Sequence, residues 1–272
     1  MNLDVLCSDT IEKYRRRLAT VKPDLAWNQL SDEELLYRLN AIGRSEKNSS
    51  LHPTAAGLLM FGYNHEIVKE FPSYFLDYRE APDENNRWID RVVSNAGTWS
   101  GNLFDFYFMV AEKLMMGIKT PFALDEKMVR IDDTPVHKAI REALVNALVH
   151  ANYYEDRGLI IIKKQNSFEF SNPGSLRISP EAAINGGLSD PRNSTVFTMF
   201  TLINIGERAG SGLSNIFAVW KQQQWIEPKL SETFGPERTA LKLIIEKRAD
   251  KKAPIKSADK KAPIKSADKK RR

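Results

Sequence analysis

The sequence predicts an α/β chain: a mixed α+β connecting region at 1–125, then a two-layer α/β sandwich at 126–248. Three observations point there. A helix with an apolar stripe and a polar face spans 136–150. A strand hairpin follows over 158–171. An alternating strand with Leu241, Leu243 and Ile245 on one face closes the segment. Helices intermixed with antiparallel strands bury their apolar faces as a helix layer on a sheet.

The elements read in order as follows. Ser31-Asp32-Glu33-Glu34 is a capping box opening a helix through residue 42. Residues 53–62 form a short apolar helix that buries Leu58, Leu59 and Phe61. A strand is expected at 73–78, then a helix rich in Phe and Met at 103–116. Large apolar groups at helical spacing belong to a core. Beyond Pro121, Thr134 is a helix N-cap and Pro135 takes the first helical position. That helix runs to about residue 151. Residues 158–163 are a continuous apolar strand, and 167–171 alternate with Phe168 and Phe170 on one face. Gln165-Asn166 turns between them. Helices are expected at 180–184, 194–202 and 213–224.

The net charge of +5 misleads. Residues 249–272 carry ten of the 40 Lys and Arg and three of the 35 Asp and Glu. The 30 basic and 32 acidic residues that remain give 1–248 a net charge of −2. No basic nucleic-acid-binding face follows for this body. The tail repeats Ala-Asp-Lys-Lys-Ala-Pro-Ile-Lys-Ser from Ala249 and again from Ala258, then begins a third copy at Ala267. With so few apolar residues it is expected to be disordered without a partner. It reads as a charged linker, or as a basic arm binding DNA weakly, non-specifically and with steep salt dependence. The single cysteine, Cys7, makes no internal disulfide. No run of 18 apolar residues predicts a membrane span, and residues 1–10 do not read as a signal peptide. A cytoplasmic protein is expected.

Chemistry concentrates in three places. On the helix over 136–150, Ile140, Ala143, Leu144, Ala147 and Leu148 form the stripe, while Glu142, Asn146 and His150 lie four apart on another face. A carboxylate and an amide on so apolar a helix line either a pocket or a solvated edge, because burying them unpaired costs several kcal/mol. Asn172-Pro173-Gly174 follows a strand and suits a type II turn. Gly206 to Gly212 is a glycine-containing loop opening a helix, where backbone N–H groups and the helix dipole suit an anion. It lacks the lysine and spacing of a P-loop, which argues against a Walker-type ATPase. His150 has no His or Cys at ligand spacing and reads as structural. His52, His65 and His137 are scattered, so no zinc site is expected.

The run Arg141-Glu142-Ala143-Leu144-Val145-Asn146-Ala147-Leu148-Val149-His150 resembles the N-box of GHKL (Bergerat-fold) ATPases, the family of gyrase B and the sensor histidine kinases. The order of helix, hairpin, Asn-Pro-Gly, Arg192-Asn193 and Gly-Ser-Gly-Leu resembles one branch, the RecG-like bacterial proteins described as transcriptional regulators. That likeness covers about 130–245. Residues ~10–120, including Leu58-Leu59-Met60-Phe61-Gly62, resemble their connecting region. Such proteins usually carry an AlbA/Schlafen-type domain before it and often a winged helix after it. The chain is therefore expected to be a fragment or a pared-down member.

The resemblance implies a histidine-kinase-like ATPase fold, with ATP and Mg²⁺ as cofactors. Asn146 would hold Mg²⁺, and Glu142 would orient or deprotonate the attacking water. Asn172 stands where family members usually have an adenine-contacting Asp, and Gly174 would let the base approach. Gly210, Ser211 and Gly212 would cradle phosphate. Arg192 and Asn193 are typical of the branch. Asn172 in place of Asp, and no recognisable glycine-rich lid between the two glycine boxes, put hydrolysis in more doubt than binding. The expected function is a nucleotide-sensing module of a bacterial helix-turn-helix-type regulator, with at most weak ATPase activity and no helicase motor. The alternative is a degenerate scaffold used for dimerisation. DNA would be met through domains outside this chain or through the tail; homodimerisation stays open, and no membrane partner is implied.

Overall fold

The computed structural model describes residues 2–45, 49–81, 87–118, 133–206 and 211–247. The first part contributes α1 (Ser8–Val21), α2 (Asp32–Arg38), β1 (Ile42–Arg44), β2 (Leu51–Pro53), α3 (Ala55–Phe61), α4 (Asn64–Glu70), β3 (Leu76–Glu80), β4 (Asp90–Val93) and α5 (Leu103–Met115). The second contributes α6 (Pro135–His150), β5 (Leu159–Lys164), β6 (Ser167–Pro173), α7 (Pro180–Asn185), α8 (Ser194–Leu202), α9 (Gly212–Gln222), β7 (Lys229–Phe234) and β8 (Glu237–Ile244). The repeat tail at 249–272 lies outside the described residues.

Six strands form one sheet in the order β4-β3-β5-β6-β8-β7. Only β3 and β5 pair in parallel; the other neighbours are antiparallel. A parallel pair needs a long crossover, and here α5 and α6 lie within it. The sheet therefore runs across the boundary at 125/126 expected from the sequence: Leu76 stands opposite Leu159 and Tyr78 opposite Ile161.

The period of two sorts the strands into faces. Tyr78, Leu159, Ile161, Phe168, Phe170, Leu241 and Leu243 are buried toward the helices. Across β6 and β8, Phe168 faces Leu243 and Phe170 faces Leu241. Ile140, Ala143, Leu144 and Ala147 of α6 join them in one core that continues to Leu18, Leu58 and Phe61 in the first part. The result is the expected two-layer sandwich, a helix layer on a mixed sheet. The Tyr14 hydroxyl, from α1, donates to the Met199 carbonyl of α8 at 2.9 Å and further joins the two parts. Lys163 is buried on β5 because it terminates α5: its Nζ donates to the Lys113 and Met116 carbonyls and pairs with Glu80.

Local signals set most boundaries. Ser31 and Glu34 form the capping box on α2, but the helix stops at Arg38 rather than at 42. Asn40 takes a left-handed φ of 54°, and the chain then enters β1. The strand expected at 73–78 lies at 76–80, because the Tyr74 amide closes a turn on the Phe71 carbonyl first. Thr134 caps α6 by accepting from the His137 amide, with the imidazole reaching back to the Thr134 amide. Thr134→Ala is expected to cost about 1 kcal/mol, the usual value of an N-cap, read as a fall in denaturation midpoint. An unchanged midpoint would mean that packing alone holds this end. No helix among the described residues is long and apolar enough to cross a membrane.

Candidate functional site

A cleft opens between α6 and the ends of β6 and β8. Its floor is the polar face of α6, where helical spacing brings Glu142, Asn146 and His150 to one side. Phe170 and Leu241 from the sheet, Phe197 from α8 and Leu213 from α9 make it largely apolar. The segment after β6 (Leu176, Arg177, Ile178) and Leu188-Ser189-Asp190 stand at its margin, where Arg177 and Asp190 pair at 3.0 Å.

Asn172 enters from β6. It is buried to 7% exposure, lies opposite Thr239 of β8 and lines the cleft. Neither amide atom has a hydrogen-bond partner among the described residues, and neither is sealed from the cleft. A buried amide is rarely left without partners, which makes this one a candidate ligand-binding group. Thr239 Oγ1 donates to the Gly174 carbonyl at 2.8 Å. Its only proton is thereby committed, and toward the cleft this oxygen can only accept.

At the other end Gly212 opens α9 directly over the polar pair. A Cβ on this residue would lie 2.4 Å from Glu142 Oε1 and 2.8 Å from Asn146 Nδ2. Only glycine permits that approach. It brings a helix N-terminus, with its partial positive charge, against a carboxylate and an amide.

His150 is mostly buried, and removal from water pushes its imidazole pKa down to about 4. The Arg192 and Arg177 charges act in the same direction, while Asp190 opposes them. The ring is therefore neutral at physiological pH.

Of the residues expected at the site, Glu142, Asn146, Asn172 and Gly212 come together along this cleft. Gly174 sits just beyond it with φ 91°, as the third residue of a type II turn requires, although β6 continues through Pro173 before the bend. Arg192 and Asn193 do not line the cleft. Arg192 donates to the His150 and Ser175 carbonyls, and the Asn193 amide to those of Val149 and Ala151. They cap the C-terminal carbonyls of α6, which an α-helix leaves unsatisfied. Ser211 is the N-cap residue of α9, outside the cleft lining. Gly210 lies outside the described residues. Sequence reasoning missed Thr239 and assigned His150 a purely structural part. The signal for Thr239 was present, since it continues the alternation of Leu241 and Leu243 by one step.

Comparison with known proteins agrees with this picture. Residues 160–239 match a family model described as "Putative ATP-dependent DNA helicase recG C-terminal". The match supports an ATPase-like domain in this part of the chain. Residues 1–77 match a second model, described as a domain of unknown function. No curated protein matches the chain. Among solved structures, the crystal structure of the DIP2311 protein from Corynebacterium diphtheriae superposes with a TM-score of 0.66 at 16% sequence identity. It shares the fold. The likeness covers 91% of this chain and 46% of that one, so the chain spans about half the length of that structure.

Proposed function

We propose that the cleft binds a nucleoside triphosphate with Mg²⁺, ATP in the first instance. The chain would then be the nucleotide-sensing module of a bacterial regulator of the helix-turn-helix type. One observation carries the proposal: Asn172 holds a buried, unpartnered amide toward an apolar cleft, and Glu142 and Asn146 lie beneath a helix N-terminus at the same cleft. An apolar slot with a few convergent polar groups suits a small ligand. An amide beside an acceptor suits a purine edge, and a helix N-terminus suits phosphate. The match to the RecG C-terminal model and the likeness to GHKL ATPases support ATP as that ligand.

The residues present fit Mg²⁺ as well. Among the described residues no cluster of three or more His, Cys, Asp and Glu is arranged around a metal. Mg²⁺ is commonly held by few protein groups together with substrate phosphates and water. Asn146 would contribute its amide oxygen, and the metal would neutralise phosphate charge. Glu142 would orient or deprotonate a water, so turnover, if present, would depend on this carboxylate. Ligand binding would bias the geometry of α9 and of any DNA-binding domains coupled to it. DNA would be contacted through those domains, or weakly through 249–272.

The test is a thermal melt with and without Mg-ATP. A ligand at one hundred times its Kd that binds only the folded state stabilises it by about 2.7 kcal/mol. For a domain of this size each kcal/mol moves the midpoint by roughly 2–4 °C, so a rise on the order of 5–10 °C is expected. Asn146→Ala should fold and lose the rise. Glu142→Gln should keep the rise and lose any ATP turnover. No rise in the unaltered chain at millimolar ATP would instead favour a scaffold that keeps the fold for dimerisation.

A further inference from the structure

We infer that Asn172 makes the cleft accept purine nucleotides carrying either a 6-amino or a 6-oxo group, rather than adenine nucleotides alone. The inference rests on the nucleotide reading above and adds base selectivity to it. An amide carries an acceptor on one side and two donors on the other. Only its partners fix which way it faces. Neither atom of the Asn172 side chain has a partner among the described residues, and both are open to the cleft. The protein therefore does not fix the amide's orientation.

In one orientation Oδ1 accepts from a 6-amino group while Nδ2 donates to the unprotonated ring N1, the pattern of adenine. Turned over, Nδ2 donates to a 6-oxo group while Oδ1 accepts from a protonated N1, the pattern of hypoxanthine and guanine. Thr239 does not break the symmetry. Its hydroxyl proton is held by the Gly174 carbonyl at 2.8 Å. Its oxygen can accept from the second 6-amino N–H of adenine, from the 2-amino group of guanine or, shared with Asn172, from the N1–H of hypoxanthine. A carboxylate at position 172 would behave differently. It only accepts, so with either base it would accept from one N–H, the 6-amino group or N1–H, and face a lone pair, that of N1 or of the 6-oxo group.

ATP and ITP differ on this edge only in the 6-substituent and the N1 proton. The experiment measures the Kd of both, with Mg²⁺ and at pH 8, for the full chain and for Asn172→Asp. The unaltered chain is expected to bind the two within roughly tenfold. Asn172→Asp replaces a two-point pairing by one bond beside a repulsive contact with either base, and is expected to weaken the binding of both by roughly ten- to a hundredfold, the worth of one good bidentate pair. A tenfold or greater preference for ATP in the unaltered chain would overturn the inference, and this comparison does not depend on the variant folding. Unchanged affinity for both nucleotides in a folded Asn172→Asp would overturn it too, since the amide would then not be the group that reads the base. Binding of neither nucleotide would instead remove the nucleotide reading on which it stands.

Discussion

Gly212→Ala is expected to leave the chain folded and to remove the whole Mg-ATP melting rise. The two effects separate because the new methyl meets side-chain ends rather than backbone. Its Cβ would lie 2.4 Å from Glu142 Oε1, 2.8 Å from Asn146 Nδ2 and 3.2 Å from Glu142 Cδ. The backbone of α6 cannot yield, since Ala143, Leu144, Val145 and Ala147 are buried in the core around it. Glu142 and Asn146 must therefore swing away. The crowding falls on the ends of two side chains rather than on backbone, which keeps its cost to the fold small. The unliganded midpoint should accordingly shift by only a few degrees. The two groups proposed to hold metal and water are displaced, so a rise of roughly 5–10 °C should fall to about zero. Melts of the variant and the parent with and without Mg-ATP decide this. A variant that keeps most of the rise would show that the contact of Gly212 with the polar pair is not used in binding.

The parts of the molecule legible in the sequence are those whose signals are local. Thr134 and Pro135 mark the start of α6, the apolar stripe marks its buried side, and the spacing of Glu142, Asn146 and His150 marks its cleft side. The hairpin of β5 and β6 follows from Phe168 and Phe170 alternating beyond a polar turn. Strands β4 and β7 were not anticipated, because both are edges. Lys229–Phe234 mixes lysine, serine and glutamate with only two large apolar residues, a composition that protects an exposed edge from further pairing. Helix α1 went unassigned even though Ile11, Tyr14 and Leu18 keep helical spacing among its charges. The parallel pairing of β3 with β5 joins residues about eighty positions apart, and no local pattern encodes a partner at that distance. The site divides the same way. Helix face and strand end single out Asn146 and Asn172, both of which line the cleft, while the roles expected of them come from the family resemblance. Arg192 and Asn193 instead cap a helix that ends some forty residues earlier, a role that becomes visible only when the chain is folded.

The neutral His150 ring makes the fold sensitive to acid. Its pKa falls from an ordinary 6.5 to about 4 in the folded chain. Burial is the main cause, Arg192 and Arg177 add to it, and Asp190 pulls against them. Between those two values the unfolded chain binds a proton that the folded chain refuses, so stability falls as pH falls. The contribution is complete above pH 6.5, declines as pH drops toward 4, and is flat below that. Each unit of separation is worth 1.36 kcal/mol, so about 2–3 kcal/mol from this one group should be lost by pH 4.5. Carboxylates titrate in the same window, which calls for a difference measurement. His150→Gln carries no titrating group, and the gap in unfolding free energy between the parent and this variant isolates the imidazole. Denaturant melts at pH 7, 5.5 and 4.5 should show the parent losing ground to the variant by that amount. A gap that stays constant across the three would place the ring in water rather than in the wall of the cleft, and the packing of α6 against residues 175–190 would have to be redrawn.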